Sequence, residues 1–189
     1  MDDKFRQKLR NLYRVNRVLW FAVFLGVVIL IAVGYVMHKL GTIAPSSAQH
    51  PQDSVSTVFL IIALVLLYIV FHMKRTYLTP KKLIWRARRK KVELAGPDVV
   101  DFVAEFGEKA DVLIKTLMLL RRYYMVIWSI ANLITLLGFV EFVVSGQFRV
   151  LATYGIVSLY SLLINFPSFK LIERCYNLLE TEDLSGNKS

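Results

Sequence analysis

The chain of 189 residues holds one cysteine, Cys175, so no disulfide can form within it. Four-span frameworks that rest on paired or redox cysteines are thereby excluded. Histidine is almost as scarce, with only His38, His50 and His72. None falls at the centre of a long apolar run, which excludes a bis-histidine haem bundle on this chain. His38 and His50 share one polar stretch, but nothing near them supplies further ligands at metal spacing. No cofactor or metal is expected. There is no Walker loop, HExxH, GxSxG or acidic phosphate-transfer signature. Nor do polar residues gather near one interface, as an integral membrane enzyme would require. The reading is non-enzymatic.

What the chain has is apolar length. Hydrophobic residues make up 56% of it, against about 45–50% in soluble domains, and the excess lies in four blocks. They run from about Val18 to Met37, Val55 to Met73, Tyr123 to Ser145 and Val150 to Phe169. Each is close to the ~20 residues that cross a ~30 Å hydrocarbon core. Lipid leaves free backbone groups unsatisfied, so such spans are expected to be helices. The first block is longer than a signal-peptide core, and the small residues Ser46, Ser47 and Ala48 lie far beyond its end, so it reads as a retained span. The expected fold is an all-α polytopic transmembrane bundle, four spans as two hairpins, with cytoplasmic helical extensions.

The net charge of +10 is distributed unevenly. Six Lys/Arg precede the first block, thirteen lie between the second and third, and three follow the fourth. The other two connections hold only Lys39 and Arg149. The positive-inside rule then places both termini and the central segment in the cytoplasm. The protein reads as an integral multi-pass protein of the plasma (inner) membrane, and nucleic acid is not an expected partner.

These boundaries divide the chain into residues 1–17, a basic amphipathic segment, 18–73, a first transmembrane hairpin, 74–122, a cytoplasmic segment, 123–169, a second hairpin, and 170–189, a C-terminal helix and tail. In the first segment Phe5, Leu9, Leu12 and Leu19 recur at helical spacing, predicting a helix that lies on the inner leaflet or leads straight into the span. His38 to Ser54 reads as a polar outer loop, and Gly146 to Arg149 as a tight turn. Thr79-Pro80 predicts a helix start, with Thr79 as N-cap. Gly96-Pro97 ends that helix, and Asp98 caps the next. From Asp98 no proline occurs until Pro167. Val99, Val103, Phe106, Ala110, Leu113, Leu117 and Leu120 step by three and four, like a coiled-coil seam. Only Gly107 interrupts, so one long helix into the third span is expected. Leu171, Ile172, Cys175, Leu178 and Leu179 predict a cytoplasmic continuation of the fourth span that packs on this seam.

Glu141 is the only acid inside an apolar block, and an ionisable group there is a functional candidate by default. It lies near the turn, where it is expected to reach headgroup water or pair with Arg149. Tyr154, Ser158, Ser161 and Asn165 share one helix face. With Ser129, Asn132 and Thr135 they are candidates for a polar path or, more commonly, for helix–helix contact. Ala22 and Gly26 read as a small-xxx-small contact. Arg86, Arg88, Arg89, Lys90 and Lys91, beside the interface-seeking Trp85, are candidates for contact with anionic lipid of the inner leaflet.

The order of parts resembles, in outline, the ion-driven stator proteins of flagellar and TonB-type motors. The resemblance is topological and carries no residues over, because the stators' small-residue ion path is not reproduced around Leu136–Phe142 or Thr153–Asn165. The leading expectation is a subunit of a larger membrane assembly, partnered by other membrane subunits or by copies of itself. The alternatives are a homo-oligomeric ion channel or stator component, and a membrane-disrupting, holin-like effector.

Overall fold

The computed structural model is all-helical among the described residues. It describes residues 3–43, 51–89 and 97–186, and the backbone alone at 51–55, 97–98 and 182–186. Seven helices follow in order: α1 (Asp3–Lys39), α2 (Pro51–Tyr77), α3 (Pro80–Arg89), α4 (Pro97–Phe106), α5 (Glu108–Ser145), α6 (Phe148–Ile164) and α7 (Lys170–Gly186). Three of them, α1, α2 from Ser56, and α5, are long and apolar enough to cross a membrane. The fourth apolar helix, α6, is shorter, with 17 residues.

The helix ends follow local chemistry. Asp3 opens α1, and His38 and Lys39 sit in its last turn, matching the helix dipole at both ends. Gly41 then adopts a φ of 65°. Its N–H bonds to the His38 carbonyl and that of Thr42 to Met37, the pair of bonds in a Schellman close. Pro51 and Pro80 each occupy a first helical position, where the missing N–H costs nothing. Helix α2 thus starts before the end of the loop expected over His38–Ser54. Thr79 does not cap α3 with its side chain, for its Oγ1 is buried without a partner.

Two expected continuities are broken. The long helix from Asp98 is interrupted at Gly107, which adopts a φ of 72° and closes α4 through its N–H to the Val103 carbonyl. Glycine populates that left-handed region without a Cβ penalty, so it acts as a stop rather than a tolerated interior residue. The helix after it still runs unbroken for 38 residues. The fourth apolar helix likewise does not continue into α7. It ends at Ile164, five residues earlier than expected, and α7 restarts at Lys170. Pro167 explains the break: it has no N–H, and it disfavours helical geometry at Phe166.

The chain divides into two compact units. A basic unit comprises Met1–Arg17, Met73–Met125 and Pro167–Ser189, and an apolar unit Val18–His72 and Val126–Phe166. In the basic unit the buried stripe of α1 is Phe5, Leu9, Tyr13 and Asn16, with Leu12 only half-buried. This stripe is covered by protein rather than left for a leaflet. Phe5 is the node, its ring 5.0 Å from Phe102, 4.9 Å from Phe106 and 5.5 Å from Tyr176. The seam of α5 is buried as expected at Ala110, Leu113, Leu117 and Leu120. On α4 the fully buried residue is Phe102, while Val99, Val103 and Phe106 are half-buried. Helix α7 buries Ile172, Cys175 and Leu179 and packs against α3.

In the apolar unit the closest approaches use glycine. A Cβ on Gly138 would stand 2.5 Å from that of Tyr154, and one on Gly155 2.5 Å from Ile31 Cδ1. At Gly34 the approach is closer still, with Leu151 Cδ2 against such a Cβ. The expected contact at Ala22 and Gly26 is not made: Ala22 is exposed, and a Cβ on Gly26 would meet nothing. Ala63, Ile134 and Tyr154 form a cluster with Leu66, Leu67, Leu137, Val150 and Val157 packed around it.

Candidate functional site

Two groups of residues carry the chemistry, one in each unit. The first centres on Glu141 in α5. Its carboxylate is buried, at 4% exposure, and Oε1 accepts a hydrogen bond from Ser56 Oγ of α2 at 2.5 Å. Oε2 is buried with no hydrogen-bond partner. Tyr154 of α6 lies beside the same carboxylate. The expected pairing with Arg149 is not made, because Arg149 is exposed and Glu141 faces its neighbouring helices instead. The turn did bring Glu141 close to Arg149 along the chain. Helix rotation, which proximity in sequence does not specify, decided its direction.

The polar face of α6 is buried along its length, with Tyr154, Ser158, Ser161 and Asn165 all enclosed. Ser158 bonds to a neighbouring helix backbone, whereas Ser161 Oγ and Asn165 Oδ1 are buried without a partner. Ser158 Oγ donates to the Ala131 carbonyl at 2.5 Å, and Asn165 Nδ2 to the Ser161 carbonyl at 2.7 Å. The Asn165 carbonyl accepts from Trp128 Nε1 at 3.2 Å, and that of Leu162 from Trp20 Nε1 at 3.0 Å. Of the α5 candidates, Thr135 is buried, Asn132 half-buried and Ser129 exposed. A cavity of about 100 Å³ beside Tyr154 is lined almost wholly by apolar side chains, among them Leu60, Ala63 and Ile134.

The second group lies on α3. Leu83, Ile84 and Ala87 form its buried face. Arg86 was expected to reach lipid, but it is turned inward: its Nη1 donates to Tyr123 Oη at 2.9 Å, and its guanidinium stands 4.5 Å from the Tyr77 ring centre. A delocalised guanidinium favours such aromatic faces. Lys81, Lys82, Trp85, Arg88 and Arg89 are exposed. Lys90 and Lys91 lie outside the described residues, as do His50 and Gly96, and the side chain of Asp98. His38 stacks on Phe148 at 5.7 Å. Among the described residues no three His, Cys, Asp or Glu side chains gather as a metal site. Burial pushes the Cys175 thiol up to about 12, leaving it protonated and chemically quiet.

Sequence reasoning missed Ser56 as the partner of Glu141. The only signal was Ser54, Ser56 and Thr57 at the start of an otherwise apolar block. A comparison of the chain with protein-family models, with curated proteins and with solved structures finds no match.

Proposed function

We propose that the protein is a non-enzymatic integral membrane subunit of a larger membrane assembly. In this reading it spans the plasma (inner) membrane four times as two hairpins, with both termini in the cytoplasm. One observation carries the scaffold role: the polar face of α6 is enclosed by protein, and its Ser158 hydroxyl is bonded to the Ala131 carbonyl of the neighbouring helix. A conducting path needs such groups turned to water, and helix contact uses them as they are used here. Contacts that pair rising with falling residue numbers, such as Trp128–Asn165 and Gly138–Tyr154, support the second hairpin. Helix α6 lies at the lower limit for a span, ~17 residues.

Two measurements test this. Reporters fused at the N-terminus, near Lys90 and at the C-terminus are expected to read cytoplasmic, and one near Ala48 external. An external Lys90 fusion overturns the topology. Purification from native membranes in mild detergent is expected to bring a fixed proportion of a second membrane protein, or a defined homo-oligomer. A monomer without companions overturns the subunit role.

A second reading, an ion channel or stator component, is favoured by the unpartnered Oε2 of Glu141. A buried carboxylate oxygen without a donor is costly, and such oxygens serve proton or cation relays in membrane proteins. Glu141→Gln keeps the shape and removes the charge. Loss of ion flux in liposomes with assembly intact would establish this reading over the first, whereas unchanged behaviour in both supports the scaffold.

A further inference from the structure

We propose that the outward face of α3 is a binding surface for anionic phospholipid headgroups, and that it comprises Lys81, Lys82, Trp85, Arg88 and Arg89 without Arg86. At about 100° per residue these five positions fall within roughly 120° of arc. The opposite side of the helix is Leu83, Ile84 and Ala87, all buried. The helix is therefore fixed in rotation, and its cations are displayed together rather than spread around a solvated helix. Arg86, at the border of the face, is held by Tyr77 and Tyr123.

Two features select a lipid surface over an acidic protein. Trp85 is 53% exposed, with the Arg89 guanidinium 4.1 Å from its ring centre. An exposed tryptophan among cations suits the headgroup layer, where the ring meets the acyl boundary and the cations meet phosphate. The second feature is the tether. Only Leu78 and Thr79 separate the end of α2 from Pro80, so α3 starts within about 10 Å of the end of an apolar helix long enough to span. The inference rests on the membrane-spanning reading, and it assigns to that reading a lipid class and a set of residues.

The test is native mass spectrometry of the full chain in mild detergent, with phosphatidylglycerol and phosphatidylcholine added in equal amounts. The wild-type protein is expected to retain phosphatidylglycerol preferentially. Lys81→Gln/Lys82→Gln/Arg89→Gln is expected to lower that retention at least fivefold, with circular dichroism and size-exclusion behaviour unchanged because the side chains are exposed. A control removes the same charge elsewhere on the surface, with Lys4→Gln/Arg14→Gln/Arg174→Gln, and is expected to retain the lipid. Equal loss in both variants would reduce the effect to net charge and overturn the site. So would undiminished retention by the α3 variant, including the case in which that variant instead loses an acidic companion protein. Failure of the membrane-spanning reading would appear in the reporter fusions, and failure of the subunit role in co-purification, so neither is confused with the loss read here.

Discussion

The basic unit and the apolar unit are both helical, and their cohesion differs in kind. The basic unit is closed by large side chains. Phe5, Phe102 and Phe106 pack in tilted and edge-to-face contacts at one end, and Leu9, Leu113 and Leu120 are fully buried. Ion pairs join its elements at the surface, Arg6 with Glu173 at 2.5 Å and Lys8 with Glu105. In the apolar unit many large side chains face outward: Leu64 is 57% and Tyr68 68% exposed. Its interior combines large buried side chains, Trp128, Ile134 and Phe142 among them, with close approaches at glycine and a serine bonded to a helix backbone. The difference follows from the surroundings each composition suits. Where water is the alternative, burying apolar area is the main gain, about 25 cal/mol per Å². In a lipid setting that gain vanishes, and close packing with hydrogen bonds must hold the helices together.

The sharpest way to break this contrast is to place a charge in the basic unit's core. Leu113→Asp leaves a carboxylate where no water reaches, and is expected to cost at least about 3 kcal/mol. Its exposed neighbour change, Glu108→Ala, is expected to stay within about 0.5 kcal/mol. Denaturation followed by circular dichroism would show both, and equal tolerance would remove the claim that this seam is packed.

In the apolar unit the largest effect is expected from adding one methyl group. Gly138→Ala drives a Cβ into Tyr154 and is expected to cost about 1–3 kcal/mol, with a fall in the melting temperature in detergent. Gly26→Ala meets open space and is expected to be neutral, or stabilising by up to about 1 kcal/mol through helix propensity. If the two behaved alike, close approach would not be what holds this unit.

Smaller still is the loss of one interhelical hydrogen bond. Ser158→Ala is expected to cost roughly 0.6 kcal/mol, because the Ala131 carbonyl keeps its helical bond. Thermal shift against wild type would resolve it, and a cost several times larger would mean that Ser158 organises more than one contact. The smallest effect is expected at Arg6–Glu173, where the side chains are 51% and 27% exposed. Arg6→Ala is expected to cost about 0–1 kcal/mol and to lose even that in high salt. A salt-independent loss would show that the aliphatic part of Arg6 packs.

Much of the fold was legible because helicity and apolar length are local sums. The four blocks, the seam on α5 and the helix start at Pro80 are read from neighbours along the chain, whereas Pro51 was read as loop and opens α2. The seam was over-extended at Gly107, where periodicity continues across a residue whose positive φ stops the helix. The site was less legible. The face shared by Tyr154, Ser158, Ser161 and Asn165 follows from 100° steps, and all four are indeed buried. That Ser56 meets Glu141, or that Tyr77 and Tyr123 hold Arg86, depends on residues 85 and 37 positions apart in Ser56–Glu141 and Arg86–Tyr123.

By itself the sequence determined an all-helical chain, the apolar lengths of its helices and the one-sided distribution of its basic residues, because each is a property of composition and short-range spacing. The tertiary structure alone decided which polar groups are enclosed and by whom. Glu141 turned from Arg149 to Ser56, Arg86 left the basic face for two tyrosines, and close approach fell at Gly34, Gly138 and Gly155 rather than at Gly26. The physical reason is rotation about the helix axis: a turn of a few tens of degrees leaves every local signal unchanged, yet moves a side chain from a neighbouring helix to open space.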